Sequence, residues 1–98
     1  MKKGDIIRCI NGSMNPNFDY KEFNHFPIEG HKYKVRRFEN LNGIKRVLLV
    51  GAKNKTTYCK TLLCNIEAAY SPDRFILESN YPTYAKLRIN NGFFVDYR

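Results

Sequence analysis

The chain has 98 residues, 43% hydrophobic and 14% aromatic, and carries 17 Lys and Arg against 9 Asp and Glu for a net charge of +8. That length supports one compact core rather than two, and the composition excludes a disordered tail or a collagen-like repeat. No apolar run approaches the roughly 20 residues of a membrane-spanning helix, and the stretch after Lys2 and Lys3 is already broken at Arg8, so neither a membrane nor a secretory leader is expected. Cys9, Cys59 and Cys64 make an odd count without an export signal, which reads as reduced thiols in a cytoplasm, with no disulfide.

Gly, Asn and Pro punctuate the sequence at intervals suited to short strands, and one domain over residues 1–98 is expected. Residues 6–10 are apolar with one polar interruption and follow the turn formers Gly4 and Asp5, so they read as the first strand. A long irregular segment then runs from Asn11-Gly12-Ser13 to Pro27, with Phe18, Tyr20, Phe23 and Phe26 interleaved among polar residues. Residues 33–38 and 44–50 flank Leu41-Asn42-Gly43 and predict a hairpin. A three-residue loop ending at Gly43 sets Val35 opposite Leu49 and Glu39 opposite Lys45. A two-residue Asn42-Gly43 turn sets Phe38 opposite Val47 instead; the first register is preferred.

Residues 51–55 form a basic loop, and residues 56–62 the next strand. Leu62, Leu63, Ile66 and Tyr70 also fit helical spacing, so a short helical turn is expected over 63–70, stopped by Ser71-Pro72. An extended path resumes over 74–78. At the C-terminus, a bulged three-residue loop at Asn90-Asn91-Gly92 would pair Ile89 with Phe93, Leu87 with Val95 and Ala85 with Tyr97, setting all six on one face of a hairpin. The expected core comprises Ile6, Ile10, Tyr33, Val35, Val47, Leu49, Phe75, Leu87, Ile89 and Val95.

The succession Gly4-Asp5-Ile6-Ile7-Arg8-Cys9-Ile10, Ile28-Glu29-Gly30-His31-Lys32-Tyr33-Lys34-Val35 and Ser71-Pro72-Asp73-Arg74-Phe75 resembles the small SH3-like barrel proteins common in bacteriophage and mobile-element genomes. In those, a Gly-Asp opens strand one, a Gly-x-x-Tyr-x-Val opens strand two and an Arg-Phe closes the barrel. The resemblance covers residues 4–76. It implies a mostly β chain: a small SH3-like antiparallel barrel with a long first loop, to which residues 81–98 add a C-terminal β-hairpin packed on it. The chain departs from the family pattern in its longer first loop, in Lys53-Asn54-Lys55 where an acidic turn is usual, and in that appended hairpin. Such folds carry many activities, so function has to be argued from the residues themselves.

The charge is unevenly placed. Between His31 and Ile66 stand nine cations against the single anion Glu39, while the rest of the chain has eight of each sign. This is the distribution of a face that meets phosphates or an acidic partner. Amphipathic alternation in a strand also explains outward cations at Lys34 and Arg36, and a lysine-rich composition adds to them, so a merely solvated face is the competing reading. Lys34, Arg36, Arg37, Arg46, Lys53 and Lys55 are the candidate phosphate contacts, with Tyr58 as a stacking surface.

In the aromatic loop, Phe23 and Phe26 are expected to fold inward as a flap over the core. Phe18 and Tyr20 stay at the surface as candidate protein contacts. A zinc site would need Cys9, Cys59, Cys64, His25 or His31 to converge. Cys59 and Cys64 on one continuous strand point to opposite faces, and buried free thiols are the simpler reading. No metal or other cofactor is expected. No nucleophile turn, paired carboxylates, Walker loop or dinucleotide glycine pattern occurs, so the chain reads as a non-enzyme.

Two functions follow as expectations. The first is a non-catalytic module of phage or mobile-element origin whose basic face binds nucleic acid, a nucleotide or a nucleoprotein assembly. The second is an effector that inhibits an acidic host enzyme or defence complex through Phe18 and Tyr20.

Overall fold

A computed structural model describes the backbone of residues 1–90 and the side chains of residues 1–87. Its strands are β1 (Ile6–Cys9), β2 (Lys32–Leu41), β3 (Ile44–Leu49), β4 (Thr56–Cys59), β5 (Cys64–Glu67) and β6 (Phe75–Leu77), followed by the helix α1 (Tyr81–Asn90). The chain is mostly β and antiparallel, as the turn spacing implies. It is not a closed barrel. One sheet has the order β3-β2-β1-β6, and β4 and β5 form a separate two-stranded ribbon. Tyr70 meets the outer edge of β3 only at a single bridge with Val47, too short a pairing to join the edges into a cylinder.

The β2-β3 hairpin combines both expected registers. At its tip Leu41 pairs with Ile44, and Asn42 and Gly43 lie at φ 54° and 86°, both positive as a two-residue type I′ turn requires. Phe38 therefore faces Val47, and Glu39 faces Arg46 rather than Lys45. A bulge between Val35 and Arg37 then absorbs one residue, so Val35 faces Leu49 after all. The bulge places Arg36 outside the regular ladder, where it meets Glu67.

The core gathers Ile7, Cys9, Val35, Val47, Leu49, Ala52, Tyr70 and Phe75, with Phe23, Phe26, Tyr33, Phe38 and Leu77 packed against it. Two expected members fail on phase. Ile6 is exposed and Ile10 only half-buried, while Ile7 and Cys9 are buried. Alternation puts Ile6, Arg8 and Ile10 on one face, and Arg8 makes that the outer face. Its guanidinium holds Glu78 through two hydrogen bonds of 2.9 and 2.8 Å and lies 4.2 Å from the centre of the Tyr81 ring.

Two segments expected otherwise take another structure. Residues 64–67 form β5, not a helical turn, because β4 offers an adjacent edge at the correct length and Leu63 turns the chain at φ 57°. Leu63 is 74% exposed and pays the steric cost of the left-handed region, roughly 1–2 kcal/mol for a residue with a Cβ. Leu63→Gly should therefore raise stability by about 0.5 kcal/mol, glycine's freedom in the unfolded chain offsetting part of the gain. An unchanged or lower urea midpoint would count against this.

Residues 81–90 are helical, so the first arm of the expected C-terminal hairpin does not form, and Leu87 is exposed. Pro82 sits in the first helical turn, where its missing N–H has no intrahelical partner to lose, and Ala85, Lys86 and Leu87 favour helix. The second arm, with Phe93, Val95 and Tyr97, and the side chain of Ile89, lie outside the described residues. Among the described residues no helix is long and apolar enough to cross a membrane.

Candidate functional site

The basic central segment is divided by two carboxylates. Arg36 donates from Nη2 to Glu67 Oε2 at 2.6 Å and from Nε to the Leu49 carbonyl at 3.1 Å. Arg37 is ion-paired with Glu39 at 3.1 Å. Arg46 bonds both Glu39 and the Glu67 carbonyl. Arg36 and Arg46 hold the β2-β3 hairpin to β5, and Arg37 pairs within β2, so all three are engaged by carboxylates. Glu67 lies one residue beyond the segment in which the sequence shows nine cations and one anion, and it supplies the missing counter-charge.

With Lys53, Thr56 and Asn65, Arg36, Arg37, Glu39 and Glu67 line a cleft of about 480 Å³ between the hairpin and the β4-β5 ribbon. Glu67 is only 6% exposed. Burial pushes its pKa up. The Arg36 hydrogen bond, the Asn54 N–H and the charges of Arg36 and Lys53 outweigh that, and the carboxyl is held below its ordinary value.

Lys34, Lys53 and Lys55 are exposed and form no ion pair among the described residues. Tyr58, 60% exposed, shares by alternation the face of β4 that carries Thr56 at the cleft. The structure thus brings Arg36, Arg37 and Lys53 together at one cleft. Lys34 stands apart, on β2 opposite Ile6.

Between Lys53 and Lys55, Asn54 is turned inward and 4% exposed. Its Oδ1 accepts from the backbone N–H of Asn24 at 2.8 Å and of His25 at 3.1 Å. Its Nδ2 donates to the Ala68 carbonyl at 3.1 Å and to the Tyr70 hydroxyl at 2.9 Å, and its own N–H donates to Glu67 Oε2 at 2.8 Å. Every polar atom of the side chain is satisfied, and the basic loop is pinned to both the aromatic loop and β5. Two lysines around an asparagine look like a solvated turn in sequence, so nothing local marks this residue.

The aromatic loop divides as expected for Phe23, Phe26 and Phe18 but not for Tyr20, which its ring contacts draw partly inward. Phe23 and Phe26 pack on the core, Tyr20 is half-buried, and Phe18 is 56% exposed. Phe18 stands edge-on to Tyr20 with centroids 4.7 Å apart, and Tyr20 meets Phe26 at 5.1 Å. Tyr70, read in the sequence only as the end of a helical turn, anchors the cluster. Its hydroxyl donates to the His25 carbonyl at 2.6 Å, and burial pushes its pKa up. These rings, with Asn15, Ser71 and Arg74, line a pocket of about 290 Å³.

The cysteines are free. Cys9 is buried, as expected. Cys59 and Cys64 do not share a continuous strand; the chain reverses between them and makes them direct partners across β4 and β5, the first half-buried and the second exposed. Among the described residues no three His, Cys, Asp or Glu side chains group as metal ligands. Comparison of the chain with protein-family models, with curated proteins and with solved structures gives no match, so its function has to be read from these residues alone.

Proposed function

We propose that the chain is a non-catalytic, cytoplasmic binding module related to the SH3-like proteins of phages and mobile elements, with an opened sheet, and that its basic loop docks on nucleic acid. The supporting observation is the Lys53-Asn54-Lys55 loop. Two ammonium groups, unpaired among the described residues, project from a backbone that a buried asparagine holds in place, so little backbone entropy is lost when they meet phosphates. The arginines contribute a net positive background at the cleft rather than free contacts, because Glu39 and Glu67 already engage them. The contact set is therefore centred on Lys53 and Lys55, with Lys34 and Tyr58 as outer elements. Such contacts confer affinity without base specificity.

Binding to a single-stranded oligonucleotide should weaken with salt at a log-log slope of about −2, as expected for two or three phosphate contacts. Lys53→Glu with Lys55→Glu should reduce affinity at least about tenfold at low salt and flatten that slope. Both lysines are exposed, so the fold should be kept, but Lys53→Glu removes a charge that favours the Glu67 carboxylate and should lower stability, while Lys55→Glu alone should leave it unchanged. No binding at about 50 mM salt, or a slope unchanged by the double reversal, would reject the proposal.

The exposure of Phe18 favours a second reading, an effector that grips an acidic host protein through Phe18 and Tyr20. In that case Phe18→Ala would abolish partner capture, and a single stoichiometric protein would survive nuclease treatment of the captured material.

A further inference from the structure

Arg74 occupies an unusual position in the aromatic pocket. Its Nη1 donates to the carbonyls of Asn11 at 3.0 Å and Ser13 at 2.7 Å, and its guanidinium carbon lies 4.6 Å from the centre of the Phe26 ring. One corner of the fork is thus fixed while Nε and Nη2 have no partner among the described residues. A guanidinium held in this way offers a planar pair of donors suited to a phosphate or carboxylate, at little further entropic cost. Beside it, Phe18 and Tyr20 present ring surface, and the Asn15 amide keeps both Nδ2 protons, its Oδ1 alone being engaged by the Asn17 N–H at 2.9 Å.

The pocket therefore combines an apolar aromatic slot, an amide able to read a heterocycle edge and an oriented cation. A cationic guest would be repelled by Arg74, which already covers an aromatic face. A volume of about 290 Å³ lies at the low end for ligand pockets, enough for one planar ring system and its substituent but not for a folded peptide segment.

We propose that this pocket is a nucleotide subsite, in which the exposed ring of Phe18 stacks on one base, Tyr20, edge-on to Phe18, backs that ring, Asn15 meets the base edge and the Nε and Nη2 edge of Arg74 takes the adjoining phosphate. The inference rests on the nucleic-acid reading above and extends it. Asn24 and His25, on the segment between the pocket rings and the basic loop, are bonded to Asn54, so the subsite and Lys53-Lys55 flank one fixed segment. A strand with a base in the pocket could continue across that segment to the lysines. Base stacking on aromatic rings is sequence-tolerant, which suits a basic face without base readout.

Isothermal titration with AMP, UMP, adenosine, inorganic phosphate and a 5′-phosphorylated oligothymidylate tests the subsite and separates a free nucleotide from a strand. The expected result is saturable binding of a mononucleotide or of the oligomer, at least about tenfold tighter for AMP than for adenosine or phosphate if mononucleotides bind. Phe18→Ala should weaken it at least about fivefold, in line with the loss of one stacking contact. Arg74→Gln should weaken AMP more than adenosine; because Arg74 also ties down Asn11 and Ser13, the exposed Phe18 variant carries the decision should Arg74→Gln unfold.

Saturation by AMP or UMP identifies a free nucleotide as a sufficient ligand, and saturation by the oligomer alone identifies the strand. Lys53→Glu with Lys55→Glu should weaken the oligomer and leave mononucleotide binding in place, so failure of the basic loop and failure of the pocket give different patterns. The proposal is overturned if neither nucleotides nor the oligomer bind, if binding is indifferent to Phe18→Ala, or if a peptide ending in phenylalanine binds where all nucleotides fail.

Discussion

Replacing Asn54 with alanine is expected to cost about 3 kcal/mol of stability, the largest effect of any substitution in the Lys53-Asn54-Lys55 loop. The side chain makes four of the five hydrogen bonds at this residue, to the N–H groups of Asn24 and His25, the Ala68 carbonyl and the Tyr70 hydroxyl. Truncation leaves those groups without it in a region where Asn54 itself is buried, and each stranded polar group costs about 1–3 kcal/mol, less where water can enter. For a domain of this size the loss corresponds to a fall in Tm of roughly 12–24 °C, measurable by circular dichroism. The variant should also lose oligonucleotide affinity, because Lys53 and Lys55 would then have to be ordered on binding. A destabilisation under about 1 kcal/mol would show that the loop is held by something other than this asparagine.

Glu67→Gln is expected to cost about 2–3 kcal/mol and to change the response to acid. The substitution keeps the shape but removes the charge that faces Arg36 and Lys53, and breaking a buried pair from one side usually costs about 3–5 kcal/mol. Partial exposure of Arg36 places this case below that range, since water can solvate the orphaned guanidinium. For the native protein, the Glu67 carboxyl in the folded state titrates below its ordinary value of 4.5 despite burial, which by itself would raise it. The folded state therefore prefers the carboxylate. Its contribution is complete above the unfolded pKa and is lost as pH falls from about 4.5 through the lower folded value.

Glu78 acts in the same direction, chiefly through the Arg8 hydrogen bond, so some acid sensitivity should survive in the variant. Equilibrium unfolding in urea between about pH 7 and pH 3 should show a shallower acid limb for Glu67→Gln than for the native chain. Parallel limbs would mean that Glu67 does not sense the folded state.

Much of the strand pattern was legible in the sequence because it depends on local chemistry. Asn42-Gly43 can adopt two positive φ angles cheaply, which puts a hairpin there whatever surrounds it. Val35, Val47, Leu49 and Phe75 are buried as their positions in apolar strands suggest. The inward set of Phe23 and Phe26 and the outward Phe18 likewise follow from a small chain recruiting loop hydrophobes to its core. The phase of β1 was also available, since Arg8 alone decides which face is outer.

The candidate site was legible only as a surplus of charge. Which cations are free depends on where Glu67 and Glu39 lie in space, and a count along the chain that stops at Ile66 cannot include a carboxylate that folds back onto Arg36 from the next position. Asn54 is an ordinary loop residue in sequence, and Arg74 reads only as the start of an extended segment. Their partners come from distant segments, 30 residues away for Asn24 and 63 for Asn11, and such long-range hydrogen bonds have no local signature.

The sequence by itself determined the antiparallel, mostly β character of the chain, its turn at Asn42-Gly43 and the concentration of cations in its central third, because these rest on backbone preferences, strand periodicity and composition. The tertiary structure alone decided that the sheet stays open, that residues 64–67 pair with β4, that the segment from Tyr81 begins as a helix against Arg8, and that Lys53 and Lys55 form no ion pair among the described residues while Arg36, Arg37 and Arg46 are paired. The physical reason is that edge pairing and ion pairing are contests among groups far apart in the chain, won by whichever partner the packed core brings within hydrogen-bond reach.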